Sequence, residues 1–228
     1  MLYILVVDDD LFANDLVRFA LTKEGYEVET TDNPRGAMQM IQRREPDLLL
    51  LDVMMPYLDG FQFSEKLRAE GYETPLIFMT AQDGLESILH GFTIGADDYI
   101  CKPYNHQELV ARVQAVLRRI KKNNIPGNHS LRAGLVELFP AELKLILPGR
   151  EQIMLTRTEM QVLRLLMASA GHAVDRNQLL ASVWNEDGTN SNIVDVYIRR
   201  LRHKLEDDIQ NPEYIVSVRG IGYKFLPK

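Results

Sequence analysis

Two periodicities alternate along the first 121 residues. The runs LYILVV (2–7), YEVET (26–30), DLLLL (47–51), PLIFMT (75–80) and DYIC (98–101) are short and mostly apolar or β-branched, as strands are. Between them, residues 12–24, 34–44, 60–69, 84–94 and 105–120 read as helices. The clearest is NHQELVARVQAVLRRI, which places Leu109, Val113, Val116 and Ile120 on one side. Regular strand–helix alternation predicts a parallel sheet covered by helices on both faces.

The pattern then changes. KKNNIPGNHS is polar and holds Pro126 and Gly127, so we read residues 122–130 as a linker between a domain at 1–121 and another at 131–228. Its length suggests independent domain motion. In LRAGLVELFPAELKLILPGREQIMLT, short strand candidates surround a proline and a glycine. Thr156-Arg-Thr-Glu159 is a capping-box pattern that opens the helix TEMQVLRLLMASA. Two more helices are predicted at DRNQLLASVW and NIVDVYIRRLRHKLE, and YIVSVRGIGYKFLP predicts a β-hairpin turning at Gly220–Gly222. Helices followed by a hairpin suggest a winged helix-turn-helix.

Composition narrows the classes. The chain of 228 residues is 46% hydrophobic and 25% charged, enough apolar content for folded cores. The single cysteine, Cys101, excludes an intrachain disulfide and a multi-cysteine metal site. The start MLYILVVDDD lacks the basic segment of a signal peptide, and no apolar run approaches the ~18–20 residues of a membrane span. A soluble, cytoplasmic protein without a membrane partner is expected. The net charge of −6 is uneven: residues 1–121 hold 12 Lys+Arg against 20 Asp+Glu, and residues 130–228 hold 13 against 12. Any case for DNA binding therefore rests on local clustering.

The chemistry is concentrated at predicted strand ends. Four leucines run directly into Asp52 in LLLLDVMMP (48–56), although an unpaired buried carboxylate would be costly. Open parallel sheets bind ligands beyond the carboxyl ends of their strands. Asp8 and Asp9 follow the first strand, Asp52 the third, Thr80 ends the fourth and Lys102 follows the fifth. These oxygens suit a hard cation such as Mg²⁺, with Mn²⁺ as a substitute. A carboxylate beside such an ion can attack phosphorus to form an acyl phosphate. A lysine would offset charge on the transferring group, and a hydroxyl such as that of Thr80 would bond the product. Any one acid at a strand end is more often a loop cap; the joint set points to function.

VVDDD, LLLLDVMMPYLDG, MTA and GADDYICKPY resemble the receiver domain of bacterial two-component response regulators over about the first 120 residues. The resemblance implies a flavodoxin-like (CheY-like) fold with five parallel strands in the order 2-1-3-4-5. It implies Asp52 as phosphoacceptor for a sensor histidine kinase. Asp9, Asp52 and the Met54 carbonyl would ligate Mg²⁺ directly, and Asp8 through water. Thr80 and Tyr99 would form the switch pair, and Lys102, in a cis peptide with Pro103, would contact the phosphate. By its residue type alone, Tyr99 reads rather as an ordinary amphipathic surface aromatic. In the OmpR/PhoB branch, charged residues of this region pair between subunits of a homodimer. Here that implies Asp98 with Arg112 and Asp97 with Arg119. Ile88 replaces the basic residue that would face Glu108, and Leu89, Phe92 and Val110 offer an apolar patch instead.

In NIVDVYIRRLRHKLE, Val194, Ile198, Leu201 and Leu205 share one side at 100° per residue, with Tyr197 at its edge. Asn192, Val196, Arg199 and His203 lie opposite, flanked by Arg200 and Arg202. Core on one side and solvent on the other is the ordinary explanation. Three details favour DNA: Val196 is placed among cations, where it suits a thymine methyl; Arg199, Arg200, Arg202, His203 and Lys204 cluster; and a glycine-rich hairpin carries Arg219. Residues 131–228 also resemble the OmpR/PhoB winged-helix effector, on LTRTEMQVLRLL, QLLASVW, VDVYIRRLRHKLE and VRGIGYKF. That implies a recognition helix at 192–206 and a wing at 219–222. It also implies a 184–192 loop that touches RNA polymerase, with a plain helix connector as the simpler account. Asn192 and Ile193 stand where relatives carry DNA-contacting Arg and Thr, which puts the operator sequence in doubt.

The implied function is a phosphorylation-gated transcription factor that dimerises and binds tandem half-sites on double-stranded DNA. It assists its own phosphorylation without being a turnover enzyme. Two alternatives are a Mg-dependent aspartyl-phosphate phosphatase or phosphotransferase, and a DNA binder that ignores phosphorylation. The chain has no strong acid–base candidate beside Asp52 and no insertion for a substrate cap, which disfavours the first; the intact acidic set disfavours the second.

Overall fold

The structure, a computed structural model, describes residues 1–56, 58–81, 90–123, 130–184 and 192–228, the side chains of 119–123 excepted. The chain divides into two compact units, Met1–Arg118 and Arg119–Lys228. The division falls inside helix α4 (His106–Asn123), which continues past the expected domain end at 121.

The first unit is a parallel sheet of β1 (Tyr3–Val7), β2 (Glu27–Thr31), β3 (Leu48–Asp52), β4 (Leu76–Thr80) and β5 (Asp98–Cys101), in the order β2-β1-β3-β4-β5. Every residue of β1, β3 and β4 is buried, which is why these strands read as continuous apolar runs. Helices α1 (Leu11–Lys23), α2 (Pro34–Arg43) and α3 (Gly60–Ala69) follow β1, β2 and β3. Each starts where a carboxylate or amide caps it. Asp10 accepts from the Phe12 and Ala13 N–H groups, Asn33 from Gly36 and Asp59 from Gln62. The helix expected at 84–94 lies mostly outside the described residues; residues 90–93 are helical. Register aligns the strand ends, with Val7 beside Leu51, Asp52 beside Met79 and Thr80 beside Cys101.

The second unit begins with an antiparallel sheet of β6 (Leu131–Ala133), β7 (Val136–Phe139), β8 (Lys144–Ile146) and β9 (Ile153–Met154). Helices α5 (Arg157–Ala168), α6 (Arg176–Trp184) and α7 (Asn192–Leu205) follow, and β11 (Ile215–Val218) and β12 (Gly222–Phe225) form the hairpin. One strand is not legible in the sequence: β10 (Ala173–Asp175) pairs with β12, giving the order β10-β12-β11. Three residues are too few to carry a period, and only the partner strand makes them β. Their last residue, Asp175, also accepts from the Asn177 N–H at 2.8 Å at the start of α6.

Helices α5 and α7 cross on an apolar seam that includes Met160, Leu163, Val194, Ile198 and Leu201, all buried, and the Trp184 ring lies 5.2 Å from that of Tyr197. Beside that seam sits one carboxylate with no exposure, Glu159. It completes the expected capping box by accepting from the Thr156 N–H at 2.8 Å. It also pairs with Arg200 at 2.7 Å and Lys204 at 2.8 Å, both on α7. Burial alone would raise its pKa, but the Arg200 and Lys204 charges prevail and hold it below the usual carboxylate value. Removing one member of such a cluster strands the others.

Glu159→Gln should destabilise the second unit by about 3 kcal/mol, read from urea unfolding by the fluorescence of Trp184, the only tryptophan. Because the folded pKa of Glu159 is depressed, its contribution is complete above the ordinary value of 4.5 and is lost as pH falls through the lower folded value. The gap between wild type and variant should therefore close on acidification. A gap independent of pH would show that the charge of Glu159 is not what matters.

Candidate functional site

The aligned strand ends gather the acids named from the sequence. Carboxylate oxygens of Asp8, Asp9 and Asp52 all lie within 4.8 Å of one another. Asp8 and Asp52 are 1% and 4% exposed, Thr80 is fully buried, and Asp9 faces solvent. The Lys102 ammonium donates to Asp8 Oδ2 at 2.7 Å and to Asp52 Oδ2 at 2.9 Å. Backbone amides take the remaining oxygens: Asp10 N–H donates to Asp8 Oδ1 at 3.1 Å, and Met54 N–H to Asp52 Oδ1 at 3.2 Å. Asp52 is thus a rim carboxylate with partners, which resolves the cost of an acid after four leucines.

The local charge is unbalanced. Burial pushes the Asp8 carboxyl up, against the opposing pull of Lys102. Burial would also favour a neutral Lys102, but hydrogen bonds to Asp8 and Asp52 outweigh it and raise the pKa, so the ammonium persists. Three carboxylates face one ammonium, an excess of two negative charges in a small, partly buried space. A divalent ion with a preference for hard oxygen ligands matches both that charge and that donor set. When bound, Mg²⁺ polarises phosphoryl oxygens and offsets their developing charge.

Two features of this site were not singled out from the sequence. Asn14, on the inner side of α1, donates to the Asp8 carbonyl at 2.7 Å and to the Thr31 carbonyl at 3.3 Å, tying the acidic loop to the helix. A polar residue among the buried Val17 and Leu21 was the available signal. Gly60 opens α3 against the end of β3; a Cβ there would lie 2.2 Å from the Asp52 carbonyl oxygen. Its N–H donates to Val53 O at 2.9 Å, so the loop that holds Met54 is closed tightly. The Lys102–Pro103 peptide is cis, matching the expectation.

Tyr99 is not a surface aromatic. It is 5% exposed, its ring stands 6.3 Å from that of Phe78, and its phenol hydrogen-bonds Thr80. Burial pushes that phenol up to about 12. Gly91 leaves room for the inward ring: a Cβ would come within 3.1 Å of Phe78 and 3.3 Å of Tyr99.

The expected dimer face is placed differently in part. Asp98 pairs with Arg112 at 3.2 Å inside one chain, and Arg112 also reaches Glu108 at 3.0 Å. Asp97 is turned inward, 5% exposed, and accepts from the Leu76 N–H at 2.9 Å, which makes it a cap for β4. Phe92 is core at 4% exposure and so does not belong to an apolar surface patch; Val110 is half-buried. Ile88, Leu89 and the Arg119 side chain lie outside the described residues.

Helix α7 divides its charges. Asn192, Arg199 and His203 are exposed and Val196 is half-buried, forming the outer stripe expected from the periodicity. Arg219 and Gly220 are exposed at the hairpin turn, where Gly220 has φ +74. Arg200 and Lys204 instead point at Glu159, and the Arg200 side chain is only 12% exposed. Arg202 donates to Ile215 O at 2.9 Å and Ser217 Oγ at 3.0 Å, on the hairpin. Three of the five clustered cations, Arg200, Arg202 and Lys204, are therefore engaged within the fold. The sequence missed this because a helical wheel shows direction and not partners. Of the loop expected to meet RNA polymerase, residues 185–191 lie outside the described set.

Gly91→Ala should press the Tyr99 ring out of its pocket. Nitration of Tyr99 by tetranitromethane, followed by mass spectrometry, should be slow in the wild type and several-fold faster in the variant. Equal rates would show that Gly91 does not control the ring.

Comparison with known proteins agrees with this geometry. Residues 4–114 match the model of the response regulator receiver domain, and residues 149–225 that of the transcriptional regulatory protein C-terminal domain. Response regulator MprA of Mycobacterium bovis is 39% identical over 96% of this chain and 95% of its own. The probable transcriptional regulator ycf27 of Porphyridium aerugineum is 37% identical over 97% and 95%. Among solved structures, a mutant of RitR with aspartate in place of a cysteine covers all of both chains at 31% identity and a TM-score of 0.83. DrrB, a Thermotoga maritima OmpR/PhoB homologue, covers 99% of each at 34% identity and a TM-score of 0.51. No described helix is long and apolar enough to cross a membrane. A receiver carrying an acidic strand-end site, joined to a winged-helix effector, places this chain in the OmpR/PhoB family of response regulators, as a phosphorylation-dependent DNA-binding transcriptional regulator.

Proposed function

We propose that Asp52 is the phosphoacceptor and that Asp8, Asp9, Asp52 and the Met54 carbonyl hold Mg²⁺, or Mn²⁺ in its place. The carrying observation is the Lys102 ammonium set between Asp8 and Asp52 at 2.7 and 2.9 Å. In transfer from a kinase phosphohistidine, an Asp52 oxygen attacks phosphorus as the phosphorus–nitrogen bond breaks and the imidazole leaves. Lys102 then exchanges its contact with the Asp52 carboxylate for one with a phosphoryl oxygen, and the Thr80 hydroxyl turns from Tyr99 to another. The phosphate adds about −1.5 to −2 charges beside Thr80. That rearrangement alters the surface around Tyr99, Asp98, Glu108, Val110 and Arg112, through which two receivers associate.

The kinase would dock beside the site. On α1, Phe12, Leu16 and Phe19 are 71%, 54% and 73% exposed, next to the loop of Lys102, Pro103 and Tyr104. A contiguous apolar surface of that kind marks a protein-binding site, and its position brings a partner helix to the phosphoacceptor. On the DNA side, Asn192, Val196, Arg199 and His203 of α7 would enter the major groove, with Arg219 on the wing in the minor groove. Paired effectors would occupy tandem half-sites in contact with RNA polymerase. The protein is a regulator that assists its own phosphorylation and dephosphorylation and turns over no separate substrate.

Asp52→Asn should abolish labelling by acetyl phosphate with Mg²⁺ while leaving thermal unfolding nearly unchanged; retained label would reject Asp52. Phe19→Glu should slow transfer from the kinase without slowing labelling by acetyl phosphate. A loss of both rates together would place the fault at the reacting site and remove α1 as the docking face.

A further inference from the structure

We propose that Tyr223 is a positioning residue which, gripped by Asp195 and Arg176, sets where the wing tip carrying Arg219 lies relative to helix α7. This rests on the DNA-binding reading of α7 and the hairpin.

Three elements meet at one hydroxyl. Tyr223 of β12 is 5% exposed, and its hydroxyl donates to Asp195 Oδ1, in the first turn of α7, at 2.5 Å. Arg176, the first residue of α6, donates to the Tyr223 oxygen at 3.0 Å and to the same Asp195 oxygen at 3.1 Å. The guanidinium carbons of Arg176 and Arg202 lie 4.9 and 5.8 Å from the Tyr223 ring centroid, within reach of cation–π attraction. Tyr223 is thus the point where wing, recognition helix and the preceding helix are joined by side chains.

The ordinary account of Asp195 is an acid placed at a helix N-terminus to complement the dipole. That account explains neither the buried hydroxyl nor the two-pronged Arg176. It also ignores a cost: the Asp195 side chain is 48% exposed on a helix that meets phosphates, where a negative charge weakens binding. A role in placing the wing explains why an acid stands there.

The backbone near Tyr223 is correspondingly tight. Gly222 runs so close to β10 that a Cβ would lie 2.1 Å from Val174 O. Beyond it, Arg219, Gly220 and Ile221 project from the hairpin, all exposed. At the other strand, Arg202 and Glu206 hold β11, Glu206 by accepting from the N–H groups of Glu213, Tyr214 and Ile215. Releasing Tyr223 would leave β11 attached and let the tip pivot. The minor groove is only about 6 Å wide, so a small swing removes Arg219 from it while α7 keeps the major groove.

The test uses the full chain phosphorylated with acetyl phosphate and Mg²⁺, and a duplex enriched from a random pool by the wild type in that state. Asp195→Ala and Tyr223→Phe should each bind that duplex about tenfold more weakly, as loss of a minor-groove arginine requires. Hydroxyl-radical protection of the wing flank should vanish, while dimethyl sulfate protection of major-groove guanines persists. Removing an acid would by charge alone strengthen binding to any duplex, so the sign of the Asp195→Ala effect is decisive. Tighter binding with the wing protection intact overturns the proposal. Loss of both protections in both variants also overturns it, since the cluster would then hold the whole effector together. Failure of the wild type to enrich any duplex would overturn the DNA-binding reading itself; enrichment with both variants behaving as wild type would overturn this joint alone.

Discussion

An ammonium held between two buried carboxylates organises the first unit. Lys102 arrives from the end of β5, Asp8 from β1 and Asp52 from β3, so their contact joins strands distant in sequence. One lysine cannot neutralise three acids, and the residual negative charge makes the site receptive to a divalent ion. The same arrangement limits how the site can respond: under the proposed chemistry a phosphoryl group on Asp52 would compete for Lys102 and for the Thr80 hydroxyl, and Thr80 is hydrogen-bonded to Tyr99. Chemistry at the strand ends is thereby linked to an aromatic ring packed on Phe78.

A parallel logic governs the second unit. Glu159 is buried, and its charge is tolerable only because Arg200 and Lys204 surround it. Those two cations orient α7 on α5, and Arg202 orients α7 on the hairpin. What remains outward is Asn192, Asp195, Arg199 and His203, with Val196 half-buried among them. Of the cations that cluster in one dimension, Arg200, Arg202 and Lys204 are in three dimensions anchors.

Much of this is legible in the residues alone. The leucines of β3 demand burial on both faces, the Thr156–Glu159 capping box marks a helix start, and alternation of the two periods fixes a parallel topology. Asp8, Asp9, Asp52, Thr80 and Lys102 are identifiable together because an open parallel sheet leaves its functional residues at strand ends. Asp97 reads instead as a surface charge, because nothing local shows that the Leu76 N–H needs an acceptor. Phe92 reads as part of a patch for a similar reason: the period of a helix at 84–94 does not reveal which side the sheet occupies.

By itself, then, the chain's order of residues determined the helices and the longer strands and which side chains can reach the sheet edge, since backbone periodicity and capping are local. It could not assign partners. Whether Arg200 grips a phosphate or Glu159, whether Ala173–Asp175 is a loop or a strand, and whether Asp195 merely caps a helix or holds Tyr223 all depend on groups far away along the chain. Charge pairing and strand pairing act through space, and only the packed tertiary structure brings those groups within a few ångströms.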